Sequence, residues 1–188
     1  LDKRLIKACA ALGYVEPTLV QSKSIPLALQ GKDLLVRART GSGKTAAYVL
    51  PALHKILKQK KNQTLTQPAI RALILVPTRE LVEQVKQTVW ELTAFCRESV
   101  SILALLGDNM SAQQAHLRDK PDVLVGTPGR VVAHLEAGNL TLEVTDEEAG
   151  AGGGGGGAGL ETLAIDEADL MLSFGYAEDL RALVGRCP

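Results

Sequence analysis

Short apolar runs alternate along the chain with longer segments whose apolar positions recur every three or four residues. The runs are Asp33–Ala38, Arg71–Val76, Val100–Leu106, Asp122–Gly126 and Leu160–Ile165, all rich in Leu, Val and Ile. Successive strand side chains point to opposite faces, so runs apolar throughout predict strands buried on both sides, as in a parallel sheet. Between them, Glu80–Cys96 places Leu81, Val85, Val89, Leu92 and Cys96 at helical spacing, which predicts an amphipathic helix. Asp2–Leu12 predicts another, with Leu5, Cys9 and Leu12 on one face and Asp2 as N-cap. This alternation implies an α/β fold: an open, mostly parallel sheet with helices on both faces.

One segment breaks the pattern. Residues 143–159 are acidic and then almost pure glycine. Such a stretch cannot offset its ordering entropy by burial, which predicts a disordered surface insertion. An engineered linker in place of a longer loop reads the same way. A phosphate cradle needs a few glycines at set positions before a helix, and this tract instead precedes a strand.

Length and composition narrow the class without deciding it. The 188 residues fit one domain, and 46% hydrophobic content suffices for a core. Lys+Arg and Asp+Glu both number 21, so the formal charge is zero. Any surface that grips phosphates must therefore be built from a few placed groups rather than from bulk charge. Cys9, Cys96 and Cys187 are odd in number and far apart. They predict neither a zinc site nor a disulfide framework, but thiols in a reducing compartment. His54, His116 and His134 lack a metal-ligand partner at helical spacing and read as solvated helix-face histidines. With no apolar run near ~20 residues and no signal peptide, the expectation is a soluble, intracellular chain with no membrane partner.

Chemistry enters at Ala38-Arg39-Thr40-Gly41-Ser42-Gly43-Lys44-Thr45, after an expected strand and before an expected helix. Gly41 and Gly43 permit a tight turn whose N–H groups point at a phosphate, and the helix N-terminus adds its dipole. Lys44 supplies a point charge for the β- and γ-phosphates, and the Thr45 hydroxyl suits magnesium. Ala38 replaces the usual first glycine of this pattern. Downstream, the strand ending at Ile165 runs into Asp166-Glu167-Ala168-Asp169. Asp166 stands where a carboxylate holds magnesium, and Glu167 where a general base orients the attacking water. The competing reading, acidic residues favouring a helix dipole, loses ground once the upstream loop is considered.

Asp166-Glu167-Ala168-Asp169 spells the signature of the DEAD-box helicases, and four further segments resemble that family's motifs in order. Gly13-Tyr14-x-x-Pro17-Thr18-x-x-Gln21 resembles the Q motif, Pro77-Thr78-Arg79-Glu80-Leu81 motif Ia, and Thr127-Pro128-Gly129-Arg130 motif Ib, beside the phosphate loop itself. The resemblance covers nearly the whole chain and implies the first RecA-like P-loop domain of an RNA helicase, residues 1–188, incomplete at its C-terminal end, with the second RecA-like domain outside it. It implies ATP and Mg²⁺ as cofactors, with Tyr14, Pro17, Thr18 and Gln21 joining residues 38–45 around ATP and Gln21 reading adenine. It implies that Pro77, Thr78, Arg79, Gly107, Thr127, Pro128, Gly129 and Arg130 face RNA without regard to sequence, and that Asp169 couples the two ligands. The RNA assignments have some independent support: both motifs offer a hydroxyl, an arginine and helix N–H groups where a strand passes into a helix. Thr127 as N-cap with Pro128 at N1 is also plain helix capping.

The family's usual Gly-Gly pair is Gly107-Asp108 here, and a carboxylate beside an RNA backbone should weaken that contact. The runs Asp166–Tyr176 and Arg37–Tyr48 are similar to a nucleolar branch that assists large ribosomal subunit assembly, which implies a nuclear location and pre-ribosomal particles as partners. Two other readings are a nucleotide-clamped RNA-binding scaffold with little turnover and a DNA-directed motor of the same superfamily. Lys44, Asp166 and Glu167 together favour an enzyme over the scaffold; the Q motif and Asp169 favour RNA over DNA, through the resemblance.

Overall fold

A computed structural model describes residues 1–62, 68–142 and 159–187. The acidic and glycine-rich tract, save Gly159, lies outside the described residues. Four short strands form one parallel sheet: β1 (Ala72–Leu75), β2 (Ile102–Ala104), β3 (Val123–Gly126) and β4 (Thr162–Ile165), in the order β2-β3-β1-β4. Ala72 sits opposite both Val123 and Thr162, and Leu75 opposite Gly126 and Ile165, so the central strands end level. That register brings the residues after each strand to one edge.

Side-chain alternation divides the core. Ala72, Ile74 and Val76 of the β1 run, with Val123 and Val125 of β3, face α1 (Lys3–Ala11), α3 (Lys44–Lys61) and α4 (Arg79–Leu92). Leu73, Leu75 and Leu124 face the other way, against α5 (Met110–Leu117), α6 (Pro128–Glu136), α7 (Ala168–Ser173) and α8 (Ala177–Val184). Helices thus cover both faces, as the doubly apolar runs require. Asp2 caps α1 by accepting from the Arg4 N–H at 2.9 Å, and Leu5 is buried beneath it. In α4 the inward stripe is Val82, Val85, Val89 and Leu92, with Leu81 only partly buried. The helix stops at Leu92, short of the expected Cys96, because Thr93 begins a run of turns.

At the amino end of the sheet, charges are paired. Asp122 accepts from the Ser101 N–H at 2.8 Å and from Lys60 at 2.6 Å, tying β2, β3 and α3 together. Glu161 meets Lys55 at 3.0 Å and the buried Arg71 at 3.5 Å. Buried carboxylates persist only with such partners.

Other expectations fail as well. Asp33–Ala38 joins no strand among the described residues, and Leu34, Leu35 and Val36 are exposed. An apolar run favours extended backbone, but a strand exists only where a second backbone offers its hydrogen bonds. The remaining four strands lie within their apolar runs, and backbone hydrogen bonds reach just past them, from the Arg71, Val76 and Leu105 N–H groups. His134, expected on a solvated face, is fully buried.

Candidate functional site

The phosphate loop gains its shape from glycine. Gly41 and Gly43 have φ of +76° and +86°, in the left-handed region that costs an L-residue roughly 1–2 kcal/mol. Gly43 caps α3 without a side-chain hydrogen bond, so the first-turn N–H groups carry the helix's partial positive charge unshielded by a capping side chain. The buried Ser42 Oγ has no hydrogen-bond partner among the described residues. An uncapped helix start with an orphaned hydroxyl beside it suits an anion rich in acceptors, so a phosphate fits this loop.

The preceding helix α2 (Leu19–Leu29) holds the loop from behind. Thr18 and Gln21 form a capping box, with Gln21 Oε1 accepting from the Thr18 N–H at 3.0 Å. The other end of the same amide donates to the Gly43 carbonyl at 3.2 Å. Gln21 is thus a strut between α2 and the loop, with both polar ends engaged. Tyr14 and Pro17, ahead of the box, are exposed, as are Arg39 and Thr40 in the loop.

Lys44 and the acidic pair meet across the carboxyl end of β4. The Lys44 ammonium lies 3.3 Å from Glu167 and donates to the Ala38 carbonyl at 3.0 Å. Glu167 has φ of +52°, a costly conformation outside glycine, and it swings the chain from β4 into α7. Its N–H donates to Asp166 Oδ1 at 2.9 Å, and the Tyr48 hydroxyl donates to Asp166 Oδ2 at 3.0 Å. Burial, then the Asp166 charge, pushes the Tyr48 phenol far above its usual range, so it stays protonated and donates. Thr45 lies beside it, one turn back along α3. Asp166 and Thr45 offer hard oxygens close together, the donor type magnesium prefers. No motif marks Tyr48. Its signal is positional: it falls three and four residues after Thr45 and Lys44, on the same helix face. Asp169 is exposed on α7.

A second cluster forms where β1, β2 and β3 end. Pro77 and Thr78 lead from β1 into α4, and Thr78 caps it by accepting from the Leu81 N–H at 3.3 Å. Thr127 and Pro128 lead from β3 into α6, with Pro128 in the first turn and no side-chain cap bond from Thr127. Thr127 thus takes the expected N-cap position with Pro128 opening α6, while its hydroxyl makes no cap bond. Gly129 approaches α8 closely, 3.3 Å separating its absent Cβ from Asp179. Arg79 and Arg130 converge on Asp108, in the loop after β2. Gly107 makes that turn at φ +74°.

A buried polar chain sets this loop. Gln113 Nε2 donates to the Leu106 carbonyl at 2.7 Å and the Gly107 carbonyl at 3.2 Å. Its oxygen is left to accept from His134 Nε2 at 2.7 Å, and His134 Nδ1 then accepts from Asn139 at 3.3 Å. That assignment needs a neutral imidazole. Burial, followed by the Arg130 charge, lowers the His134 pKa in agreement. No sequence signal marks Gln113, His134 or Asn139.

Comparison with known proteins matches the chain to one family. A model described as DEAD/DEAH box helicase matches residues 18–188. The chain is 43% identical over 189 residues to the probable ATP-dependent RNA helicase ddx56 of Dictyostelium discoideum, covering 100% of this chain and 25% of that protein. It is 47% identical over 192 residues to the ATP-dependent RNA helicase dbp9 of Aspergillus terreus, covering 100% of this chain and 28% of the relative. The crystal structure of a DEAD box protein from Methanococcus jannaschii superposes with a TM-score of 0.81 at 29% identity, over 100% of this chain and 45% of that one. The chain thus spans about a quarter of the length of the curated relatives it matches. The chain belongs to the DEAD/DEAH box helicase family.

Proposed function

We propose that residues 1–188 are the ATP-binding first domain of an ATP-dependent RNA helicase, which couples ATP hydrolysis to local separation of RNA duplexes. The observation that carries this reading is the meeting of Lys44, Asp166 and Glu167 beside a loop shaped for phosphate. Residues 38–45 would hold the nucleotide's phosphates, and Thr45 and Asp166 would hold Mg²⁺, which when bound neutralises charge on the transferred phosphoryl group. The Lys44 ammonium already lies among acceptors at the loop mouth, and an incoming phosphate would replace them. Glu167 is placed to orient water and accept its proton. Adenine recognition by Gln21 requires exchanging one of its two present bonds for the base. Asp169 would couple the ATP and RNA sites.

Pro77, Thr78, Arg79, Gly107, Thr127, Pro128, Gly129 and Arg130 would face the RNA backbone. Phosphate contacts carry no base information, so binding would be sequence-independent. Work on pre-ribosomal particles in the nucleolus is supported by the similarity of residues 37–48 and 166–176 to a branch with that role.

The test is ATP turnover by the full-length protein with and without RNA or DNA. RNA should stimulate and DNA should not. Glu167→Gln should keep ATP and RNA binding while turnover falls by about 10²–10⁴, the usual worth of a general base. Lys44→Ala should impair nucleotide binding itself. Normal turnover by Glu167→Gln would remove the base assignment; equal stimulation by DNA would favour a DNA-directed motor.

A further inference from the structure

We propose that Asp108 is a built-in competitor for RNA, an intramolecular carboxylate that occupies the phosphate position between Arg79 and Arg130 until an RNA backbone displaces it. The inference rests on the reading that these arginines face RNA, and adds to it a device that sets how tightly RNA is held.

Three observations carry it. Arg79 at the start of α4 and Arg130 in the first turn of α6 come from different strand ends, yet each brings its Nη2 to the same atom, Asp108 Oδ1, with Arg130 at 2.6 Å. Two guanidinium groups meeting on one oxygen define a site for a single anionic oxygen, the chemistry a phosphodiester shares with a carboxylate. Asp108 keeps 72% of its side-chain surface exposed. It therefore contributes little to the fold and can rotate out without opening the core. Its backbone, by contrast, is held: the Asn139–His134–Gln113 chain ends on the Leu106 and Gly107 carbonyls just before it. Because His134 and Arg130 share α6, carboxylate and arginine are kept in register, so the bridge reforms whenever RNA leaves.

The consequences are measurable. Each exposed ion pair is worth up to about fivefold in an equilibrium constant, so relieving both should tighten RNA binding by roughly 3–10-fold at low salt. With Asp108 present the cluster delivers one net positive charge to RNA instead of two. Counterion release scales as about 0.7 per phosphate neutralised on a single strand. Removing the carboxylate should therefore steepen the slope of log K against log salt by about 0.7, and the advantage should shrink about fivefold over a tenfold rise in salt.

The experiment is fluorescence anisotropy of a labelled single-stranded oligoribonucleotide with full-length protein across a salt series. It compares wild type, Asp108→Asn, Asp108→Glu, Arg79→Ala and Arg130→Ala, with circular dichroism confirming that each variant folds. The expected result is tighter, more salt-sensitive binding by Asp108→Asn, wild-type behaviour by the charge-keeping Asp108→Glu, and weaker binding by both arginine variants. Unchanged or weaker binding by folded Asp108→Asn, with the arginine variants still impaired, overturns the competitor and leaves the RNA-facing reading intact. Unchanged binding by all variants overturns both.

Discussion

Replacing Gly43 by alanine tests how the phosphate loop is braced against α2. Gly43 sits at φ +86°, where a Cβ costs roughly 1–2 kcal/mol of backbone strain. The new Cβ would also stand 2.5 Å from Gln21 Nε2 and 3.3 Å from Thr18 Oγ1. The first distance is prohibitive, but Nε2 ends a flexible side chain, so the amide turns away instead of the backbone giving. Turning away sacrifices the bond to the Gly43 carbonyl at 3.2 Å and the bond from the Thr18 N–H at 3.0 Å. At about 0.5–1.5 kcal/mol each, the whole change should cost about 2–5 kcal/mol. Urea unfolding of Gly43→Ala measures the loss, and a double-mutant cycle with Gln21→Ala divides it. Without the amide only backbone strain remains, so Gly43→Ala should then cost about 1–2 kcal/mol, leaving about 1–3 kcal/mol of coupling. An equal cost in both backgrounds would show that Gln21 does not brace the loop.

Other consequences are simpler to read. Tyr48→Phe removes the donor to Asp166 Oδ2, and groups that orient a metal ligand commonly contribute 10–100-fold in affinity; the magnesium needed for half-maximal ATP binding should rise about tenfold, and an unchanged requirement would remove Tyr48 as a positioning residue. His134 has a folded pKa below its ordinary 6.5, so below that pH the unfolded chain binds a proton the folded chain refuses. Stability should therefore be lost as pH falls from about 6.5 through the folded pKa, and His134→Leu, though less stable at neutral pH, should lose up to one proton from that dependence in urea titrations between pH 7.5 and 5. An identical acid-side slope would place the titration elsewhere.

Much of the molecule was legible because its signals are local. Alternating Ala72, Ile74 and Val76 against Leu73 and Leu75 required a strand buried on both faces, whatever lay opposite. Asp2 before α1 and Thr127-Pro128 opening α6 announced helix starts, and the glycines at 41 and 43 announced a turn only glycine makes cheaply. The acidic pair stands where an apolar strand ends, and its Glu167 meets Lys44 there. Each signal depends on a few neighbouring residues, which is all that periodicity and capping sense.

What tertiary structure alone decided are the partnerships between distant segments. Nothing within Asp33–Ala38 distinguishes an extended segment outside the sheet from a strand within it, since the difference lies in whether another backbone meets its hydrogen bonds. The order β2-β3-β1-β4 is likewise invisible in four similar apolar runs. Tyr48 reaches Asp166 across 118 residues, and Asp108 reaches Arg79 across 29 and Arg130 across 22. His134 looks like a surface residue by spacing, yet it is buried because Gln113 and Asn139, on other segments, satisfy both its nitrogens. A buried polar group survives only where such partners converge, and that convergence is a property of the assembled fold.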